Sequence, residues 1–342
     1  MSVGNSGVVF VTGGYDNTIK FWEASKGICY RSMSDTDSQA NRLAISNDKT
    51  RVAVAGNPTV RIYDVIGKST NPVKIDGHKS NVTALGFCDS PKFGSTLWTA
   101  SEDSHCCLWD FRPKSIRPVM DHKASASLYC AAMHPNQTEI ISGDQDGRIS
   151  VWDLRGGRTS VTGIASDSGP SKEIRLPEGT GARALAISAD GDRLAVANNK
   201  GKVFVYKLGG RDAGPLALLC SWQAHDTYIL QCAFSPNGNV LATASADTTI
   251  KLWAPQETNA AAEEAEVGKK WSYTLAKTLV GHKRWVWDVV FSSDGNYLMS
   301  GSSDHSARLW DVKTAQTVKD YLGHTKAITC VALHDSVFVP NK

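Results

Sequence analysis

The chain lacks any apolar run approaching the ~18–20 residues that a membrane-crossing helix requires. It also lacks a strong charge of either sign. Its 37 Lys and Arg against 34 Asp and Glu leave only +3. A nucleic-acid binder that tracks phosphate by bulk charge needs a clustered basic face, so that class is not expected. Helical periodicity is nearly missing, and one short helix is expected near Ala260–Glu266. There is no Cys-x-x-Cys pair. The eight cysteines (29, 88, 106, 107, 130, 220, 232, 330) lie mostly in alternating apolar segments such as Leu128-Tyr129-Cys130-Ala131, where a reduced thiol is a small core residue. Cys130/His134 and Cys330/His334 repeat one strand signal in two places, so a structural role is expected, with no metal and no cofactor. Met1–Gly7 is small and polar, and Val8–Val11 is too short for a signal-peptide core. The expectation is a soluble cytoplasmic protein, not an integral membrane one, that meets endomembranes only through a complex carrying it.

What is abundant is repetition. The 342 residues are 41% apolar and 21% charged, enough for a large core. An aromatic followed by a mostly acidic residue closes a short alternating run seven times, at Trp22, Tyr63, Trp109, Trp152, Tyr206, Trp253 and Trp310. The gaps are 41, 46, 43, 54, 47 and 57 residues. Gly77-His78, Asp121-His122, Ala224-His225, Gly281-His282 and Gly323-His324 precede units. A WD repeat runs ~40–45 residues, and the pattern resembles the WD-repeat β-propeller family along almost the whole chain.

Each unit holds four period-2 runs, which reads as a four-stranded antiparallel meander. The expected fold is all-β: one seven-bladed propeller over 1–342, with flexible loop insertions at about 155–171 and 255–270. Val8–Thr12 lacks an inner strand before it, and Ala327–Leu333 lacks a blade after it. Pairing the two closes the ring and removes the open sheet edges.

Counting back from the tryptophans exposes a fixed offset. Six residues earlier stand Asp16, Asp103, Asp146, Asp247 and Asp304; ten earlier stand Thr12, Thr99, Ser142, Thr243 and Ser300. With His324, His78, His122, His225 and His282 they make five Asp–His–Ser/Thr–Trp sets. Each could be misread as a hydrolase triad. A nucleophile is needed once, beside an oxyanion hole, whereas this constellation recurs five times. A structural network satisfying a buried indole and imidazole is expected, and no catalytic residue. Blades 2 and 5 carry Tyr63 with Asn57 and Ala53, and Tyr206 with Lys200 and Val196, so they should depend on apolar packing.

Function must then come from a surface. Equivalent pairs at the start of each inner strand are Gln39/Asn41, Asn81/Thr83, Ser127/Tyr129, Gly181/Arg183, Tyr228/Leu230, Trp285/Trp287 and Ala327/Thr329. Aromatics gather in blades 6 and 7, with Tyr129 and Arg183 across the rim. Trp, Tyr and Arg are the residues most enriched at binding hot spots.

A narrower likeness rests on Gly14–Glu23, Gly27-Ile28-Cys29, Asp37–Asn41, His134–Gln137, Gly143-Asp144-Gln145, Tyr228–Phe234 and Trp285-Val286-Trp287. These stretches resemble the small WD-repeat subunit (the LST-eight, or G-protein-β-like, family) of target-of-rapamycin (TOR) kinase complexes. The resemblance implies a non-catalytic scaffold that docks on and stabilises the TOR kinase domain, supporting nutrient and growth signalling. The partners it implies are that catalytic domain and other complex subunits, with no nucleic acid and no small-molecule substrate. The positions it places in contact are Gln39, Asn41, Tyr228, Gln231, Trp285 and Trp287. The Ala/Glu-rich stretch at 256–266 departs from the family pattern. A G-protein β subunit would need a coiling N-terminal helix, and only seven residues precede the first strand signal. A generic WD-repeat adaptor, in ribosome biogenesis or ubiquitin-ligase substrate recognition, is the alternative.

Overall fold

Alternating side chains put the two faces of each blade's inner, second and third strands against neighbouring blades, while the outer strands stay largely exposed. The computed structural model describes residues 8–34, 38–65, 71–88, 96–112, 116–155, 169–209, 216–258 and 270–335. They form seven four-stranded antiparallel sheets. We number these blades in chain order. Their inner strands are Ile328–His334 in blade 1, Arg42–Ile45 in blade 2, Val82–Cys88 in blade 3 and Leu128–Met133 in blade 4. Ala182–Ile187, Ile229–Phe234 and Val286–Phe291 follow in blades 5, 6 and 7. Each inner strand contacts the next, and that of blade 1 contacts those of blades 2 and 7, which closes the ring.

Closure runs through blade 1. Its inner strand comes from the C-terminal side of the chain and pairs antiparallel with Val9–Gly14, from Val9 opposite His334 to Gly14 opposite Ile328. The apolar core is divided into seven packets, one between each pair of neighbouring blades. Blade 7 and blade 1, for instance, share Met299, Ala307 and Tyr321 with Phe10 and Trp22. No blade owns a complete core, so each depends on two neighbours. The Gly of the Gly-His signature has a steric reason: a Cβ on Gly77 would sit 2.5 Å from the Trp109 ring.

Antiparallel alternation sorts the loops. Those leading into each inner strand share a face with the turns between second and third strands; turns between third and fourth strands open on the other. One expectation on that second face is corrected. Pro255–Thr258 is not loop but the end of a nine-residue strand, Ile250–Thr258, paired with Lys270–Leu279. Trp222 stacks on Tyr273 at 4.9 Å, and Arg193 lies 5.5 Å from both the Phe234 and Trp271 rings. This aromatic brace supports the lengthened hairpin, a contact that local composition does not reveal. The short helix expected near 260–266 and most of the 155–171 insertion lie outside the described residues.

Candidate interaction face

Four of the five polar sets are assembled. Each indole N–H donates to the hydroxyl ten residues before it: Trp22 to Thr12, Trp109 to Thr99 and Trp310 to Ser300 at 2.8 Å, Trp253 to Thr243 at 3.0 Å. The hydroxyl meets Nε2 of His324, His78, His282 or His225 at 2.7 Å. Having accepted the indole proton, it gives its own to Nε2, which leaves Nδ1–H to donate to the carboxylate. Those Nδ1 contacts are 2.9 Å to Asp16, 2.9 Å to Asp103, 2.8 Å to Asp304 and 2.6 Å to Asp247. Burial pushes the Asp247 carboxyl up, but hydrogen bonds from His225 and Thr249 outweigh it and bring it down to about 2. Burial likewise pushes the Asp304 carboxyl up, and hydrogen bonds from His282 and Ser306 outweigh it and hold it below the ordinary carboxylate range. His324 is pushed down by burial despite Asp16 beside it. The hydroxyls of Thr12, Thr99, Thr243 and Ser300 are fully enclosed.

The set expected in blade 4 is incomplete, and this corrects the sequence reading. Trp152 donates to Ser142 at 2.8 Å, but His122 stacks on Trp152 at 5.1 Å and 22°, where His78 and His282 stand edge-on to their tryptophans. Asp146 is exposed. Asp144 explains why: its carboxylate accepts the Asp146 and Arg148 amides at 2.9 and 2.8 Å, leaving Asp146 nothing to cap. Asn198 does the same in blade 5 for Lys200 and Lys202. In blades 3, 6 and 7 a serine (Ser101, Ser245 or Ser302) takes the first amide, and the following Asp is free to reach its histidine.

The wiring also builds the surface above it. Asp16, Asp103 and Asp304 use a further contact to accept the backbone amides of Thr325, Lys79 and Lys283, in the loops of the first face. Just beyond, the carbonyls of Trp285, Tyr228, Ser127, Asn81 and Ala327 accept amides from Ser303, Ala246, Gln145, Glu102 and Tyr15. The next step is a bulge. Thr83, Tyr129, Arg183, Leu230, Trp287 and Thr329 are each skipped in the pairing of inner and second strands. A bulged residue leaves the ladder and its side chain is re-aimed. Here the six are turned to the mouth of the central channel. In blade 2 the Asn41 amide bonds to the carbonyl of Ala55, the residue that Arg42 already faces.

The rim residues divide by this geometry. Trp285 is 45% exposed and Tyr228 51%. Trp287 is half-buried, 5.8 Å from Trp285, with its N–H donated to Ser303 at 2.6 Å. Arg183 lies 4.9 Å over the Tyr129 ring. Gln39, Asn41, Tyr129, Arg183 and Trp287 line a mouth of about 250 Å³, below the roughly 300–1,000 Å³ of small-molecule pockets. Gln231 stands apart: it turns into the channel and donates to Asp288 at 3.1 Å. Asp288 also meets Arg42 at 3.1 Å and accepts the Val331 amide at 2.9 Å, joining blades 6, 7, 1 and 2. Burial raises its carboxyl, with Arg42 opposing. Sequence reading missed Tyr15, which is exposed, packs edge-on to Trp287 at 6.1 Å and lines the mouth. Its signal was its place directly before Asp16, the position Ser303 holds before Asp304.

The WD domain, G-beta repeat family model matches residues 1–23, 70–110, 114–153, 216–254 and 273–311. Along nearly its whole length the chain is 41% identical to target of rapamycin complex subunit wat1 of Schizosaccharomyces pombe, over 331 residues and 96% of each chain. It is 39% identical over 330 residues to the Saccharomyces cerevisiae target of rapamycin complex subunit LST8, covering 96% of this chain and 99% of that one. The Bos taurus LST8 subunit is 35% identical over 340 residues and 98% of each chain. The chain belongs to the LST8 family of WD-repeat proteins. Within that family frame, the unmatched segment 24–69 contains most of blade 2, the blade whose closing aromatic is Tyr63 and whose second strand carries Ala53 in place of a hydroxyl. The segment 154–215 similarly takes in most of blade 5. The His134 ring uses both nitrogens inside the protein, donating to the Gly191 carbonyl at 3.1 Å and accepting the Asn136 amide at 3.2 Å.

Proposed function

We propose that this chain is a non-catalytic scaffold subunit that binds and stabilises the kinase domain of TOR within TOR complexes. The observation carrying the reading is the near-full-length likeness to proteins named as TOR complex subunits, which spans the rim as well as the repeats. The contact surface is the face bearing Gln39, Asn41, Tyr129, Arg183, Tyr228, Trp285 and Trp287, with Gln231 supporting it from the channel. Exposed aromatics on a rigid sheet fit a hot spot, because little side-chain entropy is lost on docking. Enclosure argues for the absence of catalysis. The hydroxyls that imitate a nucleophile are sealed under an indole, where no substrate carbonyl reaches them. The compartment proposed is the cytoplasm, with any endomembrane contact made through the complex.

Affinity purification from the source cell tests the reading. Recovery of a very large kinase with a TOR-type catalytic domain is the expected result. A ribosomal or cullin-containing set in its place would overturn it.

A further inference from the structure

Beside Trp285 the surface opens into a cleft of about 350 Å³ between blades 6 and 7, lined by Ala246, Thr248, Lys283, Arg284, Trp285 and Ser303. Its charge is one-sided. Lys283 and Arg284 are both exposed, and neither forms an ion pair among the described residues. The nearby carboxylates are spoken for: Asp304 is bonded to His282, Ser306 and the Lys283 amide, and Asp247 to His225 and Thr249. The exposed Asp226 lies in the loop entering blade 6 and does not line the cleft. The cleft is also built. Ser302 holds the Arg284 carbonyl at 3.2 Å, the Ser303 amide holds that of Trp285 at 2.9 Å, and the Ser303 hydroxyl accepts the Trp287 N–H. The backbone that carries both cations is therefore fixed beside the indoles.

We infer that this cleft receives an aspartate or glutamate side chain of the docked kinase, next to the apolar group that covers Trp285. The inference rests on the proposed function and names the chemistry of its partner surface. Two uncompensated cations beside an aromatic anchor favour an acidic side chain, and Arg284 can hold a carboxylate through two parallel N–H donors. At the edge of an interface such a pair acts mainly on association rate and salt dependence.

The test compares wild-type protein with Lys283→Glu/Arg284→Glu and Lys283→Gln/Arg284→Gln in binding the purified kinase at low and high salt, with melting as the control for folding. The expected result is about tenfold weaker binding of the charge-reversed form at low salt. Its affinity should converge with wild type once the Debye length falls to about 3 Å near 1 M salt. The Gln pair should fall between. Equal affinity and equal salt slope for all three overturns the inference and leaves the scaffold reading standing. Wild-type protein that fails to bind the kinase at all overturns both. Loss of the salt effect on phosphatase treatment of the kinase overturns the carboxylate assignment in favour of phosphate.

Discussion

Blades 7 and 5 have the same four-strand meander, yet they are held together differently. In blade 7, Trp310, Ser300, His282 and Asp304 form a continuous hydrogen-bonded chain from the core to the loop at Lys283. In blade 5 the equivalent hydroxyl position is Val196, packed with Leu194, Phe204 and Tyr206 in an apolar packet. Its first-face loop is fixed separately, by Asn198 donating to Thr180 at 2.9 Å. Blade 2 uses another substitute, Arg61 donating to Ser38 at 3.3 Å. Polar wiring is therefore not needed to make a blade. What it adds is a rigid link between a buried tryptophan and the exposed loop above it, and blade 7 spends that link on the loop that carries Trp285.

The largest effect is expected from removing what blade 1 alone requires. A chain ending at His324 loses Ile328–His334, the strand that closes the ring, and should lose its cooperative melt altogether; an unchanged midpoint would contradict closure. Next is the channel pair. Asp288→Ala leaves the partly buried Arg42 and the buried Val331 amide without their acceptor and should cost about 3–5 kcal/mol, whereas Arg42→Met/Asp288→Leu should recover the part due to Arg42 and retain about 1–3 kcal/mol from the stranded Val331 amide. Chemical denaturation distinguishes these. Smaller is the contrast between wired and unwired blades. His282→Ala should cost about 1–3 kcal/mol by stranding Ser300 and Asp304. Val196→Thr should cost a similar amount for the opposite reason, because its hydroxyl has no imidazole or indole to bond. The smallest is a pH effect. Asp247 is held near 2 when folded, against about 3.9 unfolded. The depressed folded value means its stabilisation is complete above pH ~4 and drains away as the pH falls toward 2. Asp247→Asn should flatten that stretch of the melting-temperature profile, and a profile identical to wild type would contradict the role given to this carboxylate.

Much of this was legible in the sequence because each repeat reports on the others. The four strands of a blade follow from period-2 runs, the closing pair from the unmatched strand signals Val8–Thr12 and Ala327–Leu333, and four polar sets from counting back from the tryptophans. Counting fails where two residues compete for one role. Asp144 and Asp146 stand two apart in one turn, and only backbone geometry shows which carboxylate caps the amides. The bulges were equally hidden. A pattern gives the parity of a strand but not the point where a residue is skipped, so Trp287 and Gln231 read alike although one meets the mouth and the other Asp288. The lengthened hairpin was read as loop because its brace, from Arg193 to Trp271 and Tyr273, joins residues some 80 positions apart.

We propose that the wiring serves folding while the exposed indole serves binding. This division is tested most directly by measuring, on one preparation of Trp285→Ala, both the affinity for the TOR-type kinase and the melting temperature. Affinity should weaken by about 2–4 kcal/mol while melting stays at the wild-type value. A lowered melting temperature with kinase affinity intact would contradict it, making Trp285 part of the core and moving the working surface elsewhere.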